Sequence, residues 1–303
     1  MAAAVALPFV ADAYTVSIAS TGIVLALLAM STQLLTGIAG LPSLGQAAYL
    51  GVGAYTAALL ATSGGVSNGP VQLAAGMAAG AAAAAVTAPL LLRTRGVLFL
   101  MASLAVAELT RAVAAQWSSV TGGDDGLHTP PVTIWPGTPP LNRDGYTYLY
   151  ALGVLLILAA AVAVMLRSRL VLALRAAADH ELRLAALGYE VDRHLFAGAV
   201  AAGAVAGAGG ALLVAAHQFL SPADLGLSVS AMALLAAAIG RGSMRGAVAG
   251  AVLVVAVRDR VGTSISGHAD ALLGLAFLLV AYQPIITRRL RERRQARNRG
   301  HRP

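Results

Sequence analysis

The sequence contains no cysteine and no lysine, and only 11% of its residues are charged. Without cysteine, neither disulfides nor thiolate metal sites can form. Without lysine there is no P-loop, since that motif needs a Lys to reach the nucleotide phosphates. Any ATP-derived energy must therefore come from another chain. A soluble domain carries roughly 25% charged residues, so the low charge argues against one. The ten-residue alternating strands of a membrane barrel are also absent. No HExxH occurs, and the six His (His128, His180, His194, His217, His268, His301) show no metal-ligand spacing. A membrane-embedded enzyme is thus left without an obvious metal site. The N-terminal MAAAVALPFV has no positive n-region, so no cleavable signal is expected.

What the chain does have is apolar length. It is 58% hydrophobic, and several uncharged windows reach 18 residues or more, enough to cross a ~30 Å hydrocarbon core as helix. The expected fold is an all-α, polytopic transmembrane helix bundle of about eight or nine membrane helices, short or broken ones included. Spans are predicted at Ala13 to Met30, Gly45 to Ala61, Pro70 to Leu92, Gly96 to Gln116, Tyr146 to Leu166, Leu195 to Ala216 and Ala269 to Ile286. Leu227 to Ile239 and Gly246 to Val257 are about a dozen residues each, too short to cross alone, and are read as half-helices or strongly tilted ones. Between the first two spans, Gly37, Gly40 and Pro42 interrupt the pattern. Residues 117–145 form the longest non-helical stretch and begin at Trp117, at interfacial depth.

The formal charge of +8 does not indicate nucleic acid, because the Arg sit in gaps between spans rather than on one surface. Seventeen of the 21 basic residues fall on one side when the spans alternate: Arg93 and Arg95, residues 167–193, Arg241 and Arg245, and the basic tail 287–303. The positive-inside rule makes that side cytoplasmic and places the N-terminus outside. The whole chain, 1–303, reads as a single transmembrane domain.

Residues 167–193 are the longest polar interval between spans. If Leu170 to Leu187 is helical, Leu174, Ala178, Leu182 and Ala185 share one face, and Arg175, Asp179 and Arg183 share another, where opposite charges meet at i,i+4. Gly188 is placed to end that helix. Two readings stay open: a solvated loop helix, or a helix at the membrane face that docks into a partner. Within the spans, Glu108 and Arg111 stand one turn apart and can neutralise each other. A lone charge there costs roughly 2.5–3.5 kcal/mol, so such groups face protein or a water path. They read either as part of a translocation path or as a structural pair. Gly37, Gly40 and Gly53 lie in and beside an interrupted helix, where irregular backbone can line a cavity. For Gly76 and Gly80, general Ala/Gly richness is explanation enough. The tail reads as topology-fixing, with anionic lipid as its other candidate contact.

Four stretches together resemble a known family. GIAGLPSLGQAAYLGVGAYTAALL (Gly37 to Leu60) is similar to the N-terminal signature of branched-chain amino acid ABC transporter permeases. RTRGVLFLMASLAVAELTRAVAAQWSSVTGGDDGL, with its Glu-x-x-Arg and Thr-Gly-Gly-x-x-Gly, resembles the LivM-type subunit. Residues 167–193 with LFAGAVAAGAVAGAGGAL resemble the cytoplasmic coupling loop and the helix after it, and AIGRGSMRGAVAGA resembles a Gly-rich turn near the C-terminus. The chain departs from the family where Ala178-Asp179-His180-Glu181 replaces a common Arg-Glu-Asn-Glu, where Arg183 replaces a small residue, and where Ala247 stands for a usual Pro.

The resemblance implies a non-catalytic permease subunit that binds no cofactor itself. Its partners would be a second, LivH-like permease, two cytoplasmic ATP-binding subunits that use ATP, and an extracytoplasmic solute-binding protein, all at a bacterial cell membrane. The solute would be a branched-chain amino acid or a related small polar compound such as urea or a short amide. Arg175, Asp179, Glu181, Arg183 and Gly188 would belong to the ATPase-coupling element; Glu108, Arg111, Gly37, Gly40 and Gly53 would belong to the translocation path. A stand-alone secondary transporter or channel is the alternative. Apart from Glu108, however, the spans hold almost no carboxylate for ion coupling.

Overall fold

The computed structural model describes residue 8 and residues 12–134, 144–240 and 242–264. The expected last span Ala269 to Ile286, the tail 287–303, Arg143 and Arg241 lie outside the described residues. Residues 1–255 form one compact unit and 256–303 a second, of which helix is described only as far as Ser264.

The chain is helical almost throughout, as expected. The helices longer than a single turn, among the described residues, are α1 (Ala13–Gln33), α2 (Gln46–Thr62), α3 (Gly69–Leu91), α4 (Val97–Gln116), α5 (Asp144–Met165), α6 (Arg169–Ala186), α7 (Val191–His217), α8 (Leu227–Ile239) and α9 (Met244–Ser264). Among the described residues, five segments are long and apolar enough to cross a membrane: Ala13–Ile38, Gly69–Leu91, Val97–Gln116, Gly145–Met165 and Val191–His217. The sequence underestimated α9, expected at about a dozen residues. It continues to Ser264, through the charged Arg258, Asp259 and Arg260 that hydropathy takes as a boundary.

Burial ranks the helices. In α7, 72% of the most apolar 18-residue window is buried, against 22% in α3 and in α4, so α7 is the axis and the other two are peripheral. It can take that place because its inner surface is nearly all Gly and Ala. A Cβ on Gly76 of α3 would stand 3.0 Å from the carbonyl oxygen of Gly207 and 3.2 Å from that of Gly53, so α2, α3 and α7 meet backbone to backbone. A Cβ on Gly80 would stand 2.8 Å from Gly207 Cα. Gly76 and Gly80 are therefore contact residues rather than a by-product of composition. Close backbone approach replaces the hydrophobic driving force that lipid removes.

One end of the bundle carries short structure. Gly122, Gly123 and Gly126 adopt positive φ around a single 3-10 turn, and the antiparallel strands β1 (Leu127–His128) and β2 (Phe219–Leu220) pair with Leu127 opposite Leu220. Thr133 N–H donates to Ser67 O at 2.8 Å and Gly69 N–H to Thr133 O at 2.8 Å. The described part of the long loop after Trp117, through Ile134, is thus ordered rather than mobile. α6 lies at the opposite end of the spans.

Candidate functional site

α1 does not end at Met30. It runs through Ser31, Thr32 and Gln33, all almost fully buried, and passes into a five-residue π-turn, Leu34–Ile38. These polar groups are admitted because they are satisfied. Ser31 Oγ is 2.7 Å from both Gln46 Oε1 and the Ala202 carbonyl, and Thr32 Oγ1 donates to Leu28 O at 2.9 Å. With its amide oxygen toward Gly242, Gln33 accepts from Gly242 N–H at 3.0 Å and donates to Ala237 O at 2.9 Å. Gly242 has φ +83 and belongs to the turn between α8 and α9. Two breaks far apart in sequence are thus joined by one side chain.

Gly37 is required beside it, since a Cβ there would run into the Gln33 amide. Gly40, at φ +70, faces α6: a Cβ on it would lie 3.0 Å from Ala178 Cβ. Gly53 belongs elsewhere, at the crossing with Gly207. The predicted glycines therefore divide into two in the break and one in the packing.

α6 packs on α7 and on the π-turn through Val171, Leu174, Ala177 and Leu184. The expected apolar face is partly wrong. Leu174 is fully buried, but Leu182 is 87% exposed, and Ala178 and Ala185 are exposed too. The buried stripe runs 171, 174, 177, 184, with the half-buried Glu181 in the gap. His180 has non-helical angles (φ −154, ψ 86), which kink the helix. The kink also parts Asp179 from Arg183. Arg175, Asp179 and Arg183 are exposed, and among the described residues no ion pair joins them, contrary to the i,i+4 expectation.

Glu181 is instead tied inward. Its carboxylate takes both arms of Arg95, with Nη2 to Oε1 at 2.7 Å and Nε to Oε2 at 3.0 Å. Arg95 also reaches the exposed Asp192 at 3.3 Å. The hydrogen-bonded guanidinium lowers the Glu181 pKa below its ordinary 4.5, and the same hydrogen bond raises that of Arg95. This fork was not anticipated, although Arg95 and Glu181 were each visible among the charges of one membrane side.

Gly188 ends the helix as the spacing predicted. At φ +85 it donates to Ala185 O at 2.9 Å, while Tyr189 N–H reaches Leu184 O at 3.4 Å, the paired bonds of a Schellman ending. Beyond it an open cleft of about 470 Å³ is lined by Leu170, Tyr189, Glu190, Arg193 and His194. Leu172, Leu182, Leu187 and Tyr189 leave an exposed apolar strip among the charges.

Glu108 and Arg111 form the predicted pair, Arg111 Nε to Glu108 Oε2 at 2.8 Å, on a flank of α4 with side chains 40% and 42% exposed. Among the described residues, no group of three His, Cys, Asp or Glu could hold a metal ion.

Residues 14–281 match the family described as "Branched-chain amino acid transport system / permease component". The chain is 26% identical over 304 residues to the high-affinity branched-chain amino acid transport system permease protein LivM of Escherichia coli (strain K12), covering 93% of this chain and 71% of that protein. It is 26% identical over 311 residues to the LivM of Salmonella typhimurium (strain LT2), with the same coverage. No solved structure matches. A family match across most of the chain, on a bundle with five membrane-length helices, makes this multi-pass membrane protein a member of the branched-chain amino acid transport system permease family.

Proposed function

We propose that the chain is one transmembrane permease subunit of an ABC importer for branched-chain amino acids or related small polar solutes such as urea and short amides. Separate ATP-binding subunits drive it, a second permease pairs with it, and an extracytoplasmic binding protein delivers the solute. Residues 167–193 and the tail 287–303 face the cytoplasm.

The observation that carries this reading is α6. It is an 18-residue helix outside the spans, with one face on α7 and the other presenting Arg175, Asp179 and Arg183 beside bare Leu172 and Leu182. An apolar strip rimmed by charge is what a docking surface needs. Through Ala178 the helix rests on Gly40, so a push on α6 bears on the π-turn and, through Gln33, on the turn before α9. ATPase closure would then bias the permease between two states.

Reversing Arg175 and Arg183 to Glu in the complex reconstituted into vesicles is expected to uncouple ATP hydrolysis from uptake while insertion stays intact. Unchanged coupled transport would sink the docking role of α6. Uptake by the purified chain alone, without ATPase and sensitive to uncouplers, would favour the stand-alone transporter.

A further inference from the structure

The chain between α7 and α8 does not stay at the end of the bundle. It descends through the 3-10 turn Pro222–Leu225, and the fully buried Leu225 packs on Gly51, where a Cβ would run into its side chain. Gly51 lies ~16 Å along α2 from its Thr62 end at 1.5 Å per residue, about half of a ~30 Å hydrocarbon core. α8 starts at that depth and runs on toward the α6 end, where Ser230 Oγ accepts from Ala47 N–H at 3.3 Å. It is a half-helix whose N-terminus opens in mid-membrane. Gly226 gives it no side-chain cap, and Leu227 and Ser228 are exposed.

Two polar side chains stand at that opening. Asp224 is half-buried. Its Oδ2 holds Ser221, accepting from the N–H at 2.9 Å and from Oγ at 3.2 Å. Among the described residues no ion pair reaches this carboxylate. Tyr55 of α2 is only 8% exposed and packs with Leu220 and Leu225, yet its hydroxyl has no hydrogen-bond partner among the described residues. Asp224 is the charge that acts on that hydroxyl.

Hydrocarbon cannot stabilise an unpaired carboxylate or irregular backbone at this depth, and both persist where they line a water-filled path. The two fixed charges differ in sign: a carboxylate, and the partial positive charge of a helix N-terminus, about +0.5. An amino acid zwitterion carries the complementary pair a short distance apart. Urea and short amides carry neither charge.

We infer that Asp224, the Tyr55 hydroxyl and the open N-terminus of α8 form a mid-membrane site for an α-amino acid in transit. The first N–H groups of α8 take its carboxylate, Asp224 takes its ammonium group, and the Tyr55 hydroxyl bonds the same headgroup. The inference rests on the importer reading above and gives it a solute site that prefers a zwitterion.

The test uses the full complex in liposomes with its binding protein, with leucine uptake and ATP hydrolysis measured together. Asp224→Asn keeps an oxygen for Ser221 and removes the charge. Ser221→Ala removes the hydroxyl contact and keeps the charge. The expected result is at least ten-fold less leucine taken up per ATP hydrolysed for Asp224→Asn, and less than a two-fold change for Ser221→Ala. Equal losses in the two variants would make Asp224 a structural cap, and unchanged uptake in Asp224→Asn would overturn the site as directly. A second readout does not depend on how Asp224→Asn assembles. The chain has no cysteine, so Ser228→Cys carries its single thiol. A membrane-impermeant thiosulfonate, read by mass on this chain, should modify it at least ten-fold faster than Ala78→Cys on the exposed face of α3. Saturating leucine should slow that reaction. These reagents need a thiolate in water. No modification at 228, or modification indifferent to leucine, would mean that lipid, a partner or residues 265–303 cover the opening, and would overturn the site even in a complex that transports. Leucine uptake with no ATP-binding subunit present would overturn the importer reading instead.

Discussion

Glycine has opposite roles in two regions of the molecule. At the crossing of α2, α3 and α7, Gly53, Gly76, Gly80, Gly203 and Gly207 all keep helical backbone, and what matters is the missing side chain. At the paired breaks, Gly40 and Gly242 have φ +70 and +83, and what matters is the conformation. The first region brings three axes to backbone contact at the glycines themselves, with a side-chain hydrogen bond between Tyr49 and Thr87 at 2.8 Å joining α2 and α3 beside them. The second leaves backbone groups unpaired and satisfies them with the amide of Gln33. Where helices only have to be held, small residues suffice. Where the ladder is interrupted, a side-chain hydrogen bond must replace what the ladder supplied.

The largest expected effect tests the crossing. Gly207→Leu drives a side chain into the Gly76 backbone, which cannot step aside as a side-chain tip would. Overpacking costs about 1–3 kcal/mol in ordinary cores and more against backbone, so loss of a monodisperse folded protein in detergent is expected. Gly153→Leu on α5 is the control, since a Cβ there meets nothing within 4 Å. Equal thermal midpoints for the two variants would mean that the crossing does not depend on glycine.

The next effect sharpens the contrast at the breaks. Gln33→Leu keeps apolar bulk but leaves Ala237 O and Gly242 N–H without that partner, at about 1–3 kcal/mol. Gly37→Ala is expected to do much the same damage by displacing the same amide. Residues that act through one interaction are non-additive. The double variant should therefore lose little more thermal stability than the worse single one. Full additivity would show that the two positions act separately and that Gln33 does not join the breaks.

The two regions were unequally legible in the sequence. Span positions could be read because uncharged windows are unambiguous in length, and the ends agree closely for α2, α3 and α4. The break was located through Gly37, Gly40 and Pro42, but its chemistry was not, because hydropathy scores Ser31, Thr32 and Gln33 as the end of a span. Their burial depends on partners in α2, α7 and the turn at Gly242, which no local window contains. In the same way, a helical wheel for α6 assumes unbroken 3.6-residue phase. His180 violates it, so Leu182 turned outward and Glu181, not an alanine, took the inward place opposite Arg95. The packing at Gly76 and Gly80 was hidden for another reason. In a chain this rich in Ala and Gly, a small-xxx-small spacing carries little information until a facing glycine is found.

The smallest effect concerns how α6 is held over Gly40. Both ends of the Arg95–Glu181 fork are more than a third exposed, so solvent screening limits it to about 0.2–1 kcal/mol. Its sign with pH follows from the Glu181 carboxyl, whose folded pKa lies below the ordinary 4.5. The stabilisation is complete above 4.5 and is lost as pH falls through the depressed folded value. Glu181→Gln should therefore lower the thermal midpoint slightly at pH 7 and make no difference at acid pH, where the wild-type carboxyl is protonated too. Raised salt should narrow the pH 7 gap. A gap that instead persisted into acid would mean that the Glu181 side chain holds α6 by packing rather than by charge. The tether of α6 would then resemble the glycine crossing more than the hydrogen-bonded breaks.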